Sequence, residues 1–137
     1  MKEKMDQKGF SLVEIIIVIA IMAVLIGVLA PQYLKFVNNA RVTTDVTNAT
    51  EIAKLVNGAI SESYGSSVPN TITGSGGTLV SGVPGLEVLP PCKVNPSYIW
   101  VISSEQGKGV TEITLNGLEI FPDAEGPGGY YTTYYTN

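Results

Sequence analysis

The sequence predicts an α+β fold, in which a long N-terminal α-helix, kinked near Pro31, packs on a small antiparallel β-sheet head. Two observations support this prediction. An apolar run near the N-terminus continues into a stripe of apolar residues at helical spacing, and short segments of alternating polarity follow in the C-terminal half between turn-forming residues. A chain of 137 residues has room for one small domain besides a membrane segment.

The first element is an apolar helix long enough to cross a membrane. Sixteen residues, Ile15 to Ala30, carry no charged or polar side chain, and Phe10, Leu12 and Val13 extend the run. About 20 such residues span a bilayer. Three lysines precede the run: Lys2, Lys4 and Lys8. Because positive flanks stay cytoplasmic, we expect a single crossing with the residues after Pro31 outside the cell.

Glu14 is the exception within this apolar segment. It lies between Val13 and Ile15, where a carboxylate inside hydrocarbon costs several kcal/mol unless it is paired or neutralised. Position alone leaves two interpretations. Glu14 either lies in the headgroup region near Lys8, at little cost, or has a functional role.

The segment Gly9-Phe10-Ser11-Leu12-Val13-Glu14 resembles the GF(S/T)LxE signature of type IV prepilins and pseudopilins, the precursors with class III signal peptides. The resemblance covers roughly residues 1 to 60, and Pro31 stands where many family members have a proline. It implies a type IV pilin fold for the chain.

The resemblance also implies a maturation pathway. A prepilin peptidase would cut between Gly9 and Phe10 on the cytoplasmic face, and the new amine of Phe10 would be N-methylated, which keeps its positive charge. Glu14 of an incoming subunit would then pair with the Phe10 amine of a neighbour and set the register of assembly. An assembly platform with its ATPase would drive extraction from the membrane.

Two rival interpretations of the N-terminus remain. A secretory signal could end at Ala30, although Pro31 directly after the cut argues against it. An uncleaved membrane anchor leaves both the position of Glu14 and the Gly9-Phe10 junction unexplained. A monomeric, membrane-anchored extracellular binding domain is the corresponding functional alternative.

The helix is expected to continue to about Glu62, because apolar residues recur at steps of three and four after Pro31. The members of this stripe are Val42, Val46, Ala49, Ala53, Val56 and Ile60. Pro31 lacks an amide hydrogen and Gly27 weakens the helix one turn earlier, so we predict a kink there. The resemblance further implies that the segment from Ala23 to Pro31 loses helical order in a filament.

The head begins with a Ser-, Gly- and Thr-rich stretch, Gly65 to Gly85, which we interpret as a connecting loop. Strands are predicted at Tyr98–Ser104 and Val110–Leu115, separated by a glycine-containing turn. Asn116-Gly117 indicates a tight hairpin into a third strand, Leu118–Phe121. Trp100 is expected in the core, and the tyrosines of the C-terminal tail are expected to cover the sheet.

Composition excludes several classes of function. The net charge of −4 and the lack of a basic stripe argue against nucleic-acid binding. With no histidine and one cysteine, Cys92, the chain can form no internal disulfide, His-based triad or usual zinc site. Glu119, Asp123 and Glu125 precede a glycine-rich turn, where a solvated acidic loop is favoured over calcium binding. We expect no cofactor and no enzymatic activity.

These predictions divide the chain into a cleaved leader (residues 1–9), a transmembrane and filament-core helix (residues 10–31) and an extracellular head (residues 32–137). The expected function is that of a type IV pilus subunit, first in the cytoplasmic membrane and then in a surface filament. A pseudopilin of a secretion or competence system shares the same N-terminus and is the alternative.

Overall fold

Helix α1 (Leu12–Ser61) is the first element of the structure, a computed structural model that describes residues 9–62 and 67–135. Its end agrees with the boundary predicted from the apolar stripe. The chain divides into two compact units, Met1–Lys35 and Phe36–Asn137, and residues of α1 fall in both. The two units are described separately below.

The second unit contains a four-stranded antiparallel sheet in the order β1-β2-β3-β4. Its strands are β1 (Thr71–Gly74), β2 (Trp100–Glu105), β3 (Gly109–Leu115) and β4 (Leu118–Phe121). The last three lie within two residues of the predicted strands. This confirms the α+β class and the antiparallel sheet.

The β3–β4 hairpin follows from its two turn residues. Asn116 has φ 54° and Gly117 has φ 78°, the left-handed values that a type I′ turn requires at both central positions. Asparagine and glycine adopt this conformation at the least steric cost. The turn pairs Leu115 with Leu118 and sets the hairpin register, as the sequence predicted.

The interpretation of Gly65 to Gly85 as a loop is wrong at two places. Thr71–Gly74 forms β1, which pairs antiparallel with β2 and buries Ile72, and Leu79 forms a further bridge with Val88. Such short strands depend on hydrogen bonds to their partners rather than on their own composition. The predicted loop also includes residues 65–66, which lie outside the described residues.

The core lies between the apolar stripe of α1 and one face of the sheet. Predicted stripe residues Val42, Ala49, Ala53 and Val56 are buried, and Val46 and Ile60 are partly buried against them. Trp100 is fully buried, and its indole Nε1 donates to the carbonyl of Pro90 at 2.9 Å. The expectation that Trp100 is a core residue is confirmed.

A short second helix, α2 (Tyr130–Tyr134), closes the described part of the head and contacts β4. Tyr130 is fully buried in the core. The Tyr134 hydroxyl donates to the Tyr98 hydroxyl at 2.9 Å, and the Tyr134 carbonyl accepts from Asn38 Nδ2 at 2.7 Å. The tyrosine-rich tail therefore packs on the head, as expected, although the sequence did not predict a helix.

Candidate functional site

The N-terminal junction lies just before α1. Gly9 and Phe10 are exposed and precede the first helical residue, and the Phe10 side chain is 84% accessible. The bond between them is therefore outside the helical hydrogen-bond network. The leader predicted at residues 1–9 lies outside the described residues except for Gly9.

Glu14 and Ser11 form a capping box at the start of α1. The Ser11 amide donates to Glu14 Oε2 at 2.8 Å, and the Glu14 amide donates to Ser11 Oγ at 3.3 Å. These reciprocal bonds satisfy two amides that the helix itself leaves without acceptors. A carboxylate in the first turn also interacts favourably with the helix dipole. Glu14 thus has a local structural role that our sequence interpretation did not include.

The first part of α1 is apolar on every side and exposed. Between Leu12 and Phe36 its large apolar side chains are at least half accessible, and the helix is long and apolar enough to cross a membrane. A continuous apolar surface of this kind requires lipid or protein around it. The observation fits a membrane-anchored segment.

Gly27 and Pro31 both lie inside α1. A Cβ added to Gly27 would meet nothing within 4 Å, so packing within the chain does not require glycine there. The kink that we predict at these residues stays a prediction.

The acidic residues before the glycine-rich turn form hydrogen bonds between side-chain oxygens and backbone amides. Glu119 Oε1 accepts from the Asp123 amide at 3.3 Å, and Asp123 Oδ1 accepts from the Glu125 amide at 3.1 Å. Across residues 9–62 and 67–135, no group of three or more His, Cys, Asp or Glu side chains is placed to hold a metal ion. The carboxylates of Glu119 and Asp123 thus shape the turn.

A buried carboxylate that sequence reasoning missed connects three parts of the head. Asp45, on the buried face of α1, is fully buried. Its Oδ1 accepts from the Lys93 amide at 2.7 Å. Its Oδ2 accepts from the Tyr130 hydroxyl at 2.9 Å, the Cys92 thiol at 3.1 Å and the Val94 amide at 3.1 Å. We call Asp45, Cys92 and Tyr130 the Asp45 cluster.

The Asp45 cluster holds together segments that are far apart in the chain. Asp45 is separated from Cys92 by 47 positions and from Tyr130 by 85. One carboxylate with four donors is well satisfied, which is the condition for burying a charge. The sequence signal was an aspartate between Val42 and Ala49, within the apolar stripe.

Burial raises the pKa of both acidic groups that donate to Asp45. The pKa of the Cys92 thiol lies above its ordinary value of 9.0, chiefly because burial disfavours the thiolate. The pKa of Tyr130 is raised well above 10.0, also chiefly by burial and then by its bonds to Cys92 and Asp45. Both groups stay protonated, and so remain donors, at physiological pH.

We predict that the head loses stability in alkali. The unfolded chain releases the Cys92 proton near pH 9.0 whereas the folded chain retains it, so unfolding becomes easier as pH rises above that value. Denaturant titrations of the full chain in maltoside micelles, followed by Trp100 fluorescence, should show a falling free energy of unfolding between about pH 9 and pH 11.

A Cys92→Ala variant is the control for this pH dependence. It removes the thiol with little change in volume, so its stability should fall less steeply over the same pH interval. If the free energy of unfolding of the unmodified protein stayed constant across that interval, the raised pKa of Cys92 in the folded chain would be contradicted.

Comparison with known proteins adds one match. The family model of the prokaryotic N-terminal methylation motif matches residues 4–30. No curated protein and no solved structure matches the chain.

The motif, the exposed apolar helix and the helix-on-sheet head together fit one class of protein: a membrane-anchored precursor with a class III signal peptide. Within that class, the match at residues 4–30 supports a prepilin similar to type IV pilins and pseudopilins. The match therefore supports the resemblance to type IV prepilins and pseudopilins, because it includes the segment from Gly9 to Glu14.

Proposed function

We propose that the protein is a structural subunit of a type IV pilus, matured by cleavage after Gly9 and N-methylation of Phe10. The observation that carries this proposal is the methylation motif at residues 4–30, directly followed by a helix that is apolar on all sides. A monomeric binding domain with an uncleaved membrane anchor would also need the apolar helix, but it would not need the methylation motif.

The geometry of the junction supports cleavage at this bond. Gly9 and Phe10 lie outside α1, and the Ser11–Glu14 capping box fixes the start of the helix at Leu12, two residues after Phe10. The peptide bond that the peptidase would cut therefore needs no helix unwinding. Residues 10–31 then form the membrane segment and later the filament core.

Assembly requires an interaction that sets the stagger between subunits. Apolar helices gain little by leaving lipid for a bundle of similar helices, because side chains and lipid tails are about equally apolar. A charge pair between Glu14 and the methylated amine of Phe10 in a neighbouring subunit supplies this register, since either charge alone is costly in a low-dielectric core. Gly27 and Pro31 give this segment a weak point where the helix bends.

The capping box and the proposed contact use different oxygens of Glu14. The capping box uses Oε2, which accepts from the Ser11 amide. A carboxylate has acceptor sites on both oxygens, so the cap and the amine pair are compatible.

The proposal implies specific partners and locations. The precursor resides in the cytoplasmic membrane, where a prepilin peptidase, an assembly platform and its ATPase act on it, and the product is a homopolymeric filament on the cell surface. The subunit itself is structural, with no catalytic role. A pseudopilin of a secretion or competence system shares the same N-terminus and is the alternative.

We predict that the mature chain begins at N-methylated Phe10. Intact mass and N-terminal fragmentation of the protein from its native membrane should show loss of residues 1–9 and the added mass of one methyl group. A deletion mutant of the peptidase gene is the control, because it should retain the full-length chain.

Other N-termini would contradict the proposal. A chain beginning at Pro31 would be a secreted soluble domain. A chain that keeps residues 1–9 in cells with an active peptidase would be an uncleaved anchor.

A further inference from the structure

A short segment of α1 follows the apolar run and ends the first compact unit, Met1–Lys35. We call it the boundary segment; its residues are Pro31, Gln32, Tyr33, Leu34 and Lys35. All of them are exposed, and the side chains of Tyr33 and Leu34 are 66% and 67% accessible. Packing among the described residues therefore does not explain why a large aromatic and a large aliphatic side chain occur here.

The length of α1 places the boundary segment at one surface of the bilayer. The helix rises about 32 Å from Leu12 to Tyr33 at 1.5 Å per residue, close to the roughly 30 Å of a hydrocarbon core. With Leu12 at one edge of the core, Tyr33 lies at the other edge. The boundary segment itself rises about 7.5 Å, similar to the roughly 5–8 Å thickness of one headgroup layer.

The side chains of the boundary segment suit the headgroup layer better than the layers on either side of it. In hydrocarbon, the amide of Gln32 and the ammonium of Lys35 would be costly to bury. In water, Tyr33 and Leu34 would extend the exposed apolar surface of the helix. Tyrosine combines an apolar ring with a polar hydroxyl, and a lysine near a helix end can extend its ammonium to the headgroups. Both residue types are therefore typical of membrane surfaces.

We propose that the boundary segment anchors the precursor in the headgroup layer of the outer leaflet, with Tyr33 as the main contact and phospholipid headgroups as the partner. Aromatic residues flank the apolar run, because none occurs between Phe10 and Tyr33. The membrane contact thus extends to Lys35, beyond the end at residue 31 that the sequence predicted. This anchoring requires insertion of α1, and it is independent of cleavage and of pilus assembly.

The test measures the membrane depth of labelled positions in the full, uncleaved chain. The protein is reconstituted at low density in vesicles of phosphatidylethanolamine and phosphatidylglycerol. Each variant carries one new cysteine for a spin label: Leu25→Cys, Gln32→Cys or Glu112→Cys. Cys92 is buried, so the folded, unmodified protein should take up no label and serves as the control. Collisions with oxygen, which concentrates in hydrocarbon, and with a water-soluble nickel chelate report the depth of the label.

The label at residue 32 should lie between two reference depths. Leu25→Cys marks the hydrocarbon, and Glu112→Cys marks the water around the head, since Glu112 is exposed on β3. The ratio of oxygen to nickel collisions should fall at least about twofold at each step from residue 25 to 32 to 112. A residue 32 as accessible to nickel as residue 112, or as deep as residue 25, would overturn the proposal. Spin–spin broadening at residue 32 that persists on further dilution with lipid would also overturn it, because a second copy would then cover the segment.

Substitutions of Tyr33 test its own contribution, with the label kept at residue 32. Tyr33→Ser should increase collisions with the nickel chelate at least about twofold, whereas Tyr33→Trp should keep the depth unchanged, because tryptophan is also an interfacial residue. Tyr135→Ser, at an exposed tyrosine of the head, is the matched control and should change nothing. Trp100 fluorescence confirms that both serine variants are folded. Equal depths in Tyr33→Ser and in Tyr135→Ser would overturn the role of Tyr33. None of these results depends on whether the chain forms pili.

Discussion

A Glu14→Gln variant is expected to be inserted and cleaved normally and yet to fail to assemble. Glutamine at this position still accepts the Ser11 amide, so the capping box is retained. Its neutral side chain leaves the Phe10 amine of the neighbouring subunit unpaired in an apolar core, which costs about 3–5 kcal/mol. We expect the amount of sheared filament, measured by immunoblot against membrane-bound subunit, to fall at least about tenfold.

Ser11→Ala is the matched control for this experiment. It removes the hydroxyl that caps α1 but keeps the carboxylate of Glu14, so the helix start should lose about 1 kcal/mol and assembly should persist. Equal loss of filaments in both variants would assign the role of Glu14 to capping. Normal assembly of Glu14→Gln would show that Glu14 does not set the register, whereas a lack of filaments from the unmodified protein would favour a monomeric, membrane-anchored domain.

Replacing Asp45 with alanine is expected to have the largest effect on the head. The change removes the shared acceptor of four donors: the amides of Lys93 and Val94 lose their side-chain acceptor, and the Cys92 thiol and the Tyr130 hydroxyl are left with their 3.4 Å contact with each other. The expected cost is about 3–5 kcal/mol. This is a large part of the stability of a small domain. Denaturant unfolding in micelles, followed by the fluorescence of the single tryptophan, Trp100, measures the loss.

Two further variants test whether a loss of stability in Asp45→Ala is specific to the Asp45 cluster. Glu51→Ala removes an exposed acid from the same helix and should change stability by less than about 0.5 kcal/mol. Tyr130→Phe removes a single donor and should cost about 1–2 kcal/mol. An Asp45→Ala variant as stable as Glu51→Ala would show that the Asp45 cluster contributes nothing to the head.

The elements that sequence predicted correctly have strong local signals. Asn116-Gly117 alone identifies the β3–β4 hairpin, because few other dipeptides adopt both left-handed conformations. The stripe from Val42 to Ile60 has the helical period over several turns. In each case the signal lies within a short window of the chain.

The features that sequence did not predict depend on distant partners. Strand β1 has one buried residue, Ile72, and exists through its pairing with β2, about thirty positions later. The Asp45 cluster joins residues whose spacing follows no period. For such contacts the fold must be known before the partners can be assigned.

The N-terminal site could be predicted in part. The motif from Gly9 to Glu14 predicts a processing junction, which stays a prediction, and the match at residues 4–30 supports a prepilin-like precursor. The spacing of Ser11 and Glu14 also fits a capping box, S-x-x-E, which was recognisable before the structure. The position of Glu14 in an apolar segment indicates a role for its charge, whereas its capping role follows from its spacing to Ser11.

The Asp45 cluster closes the head without any covalent crosslink, since the single cysteine is a hydrogen-bond donor within it. Disulfide-stapled extracellular domains need an oxidant or an oxidase when they fold, and a reductant can open them again. This head depends on neither. Its folding should therefore proceed equally in anoxic and in aerated surroundings.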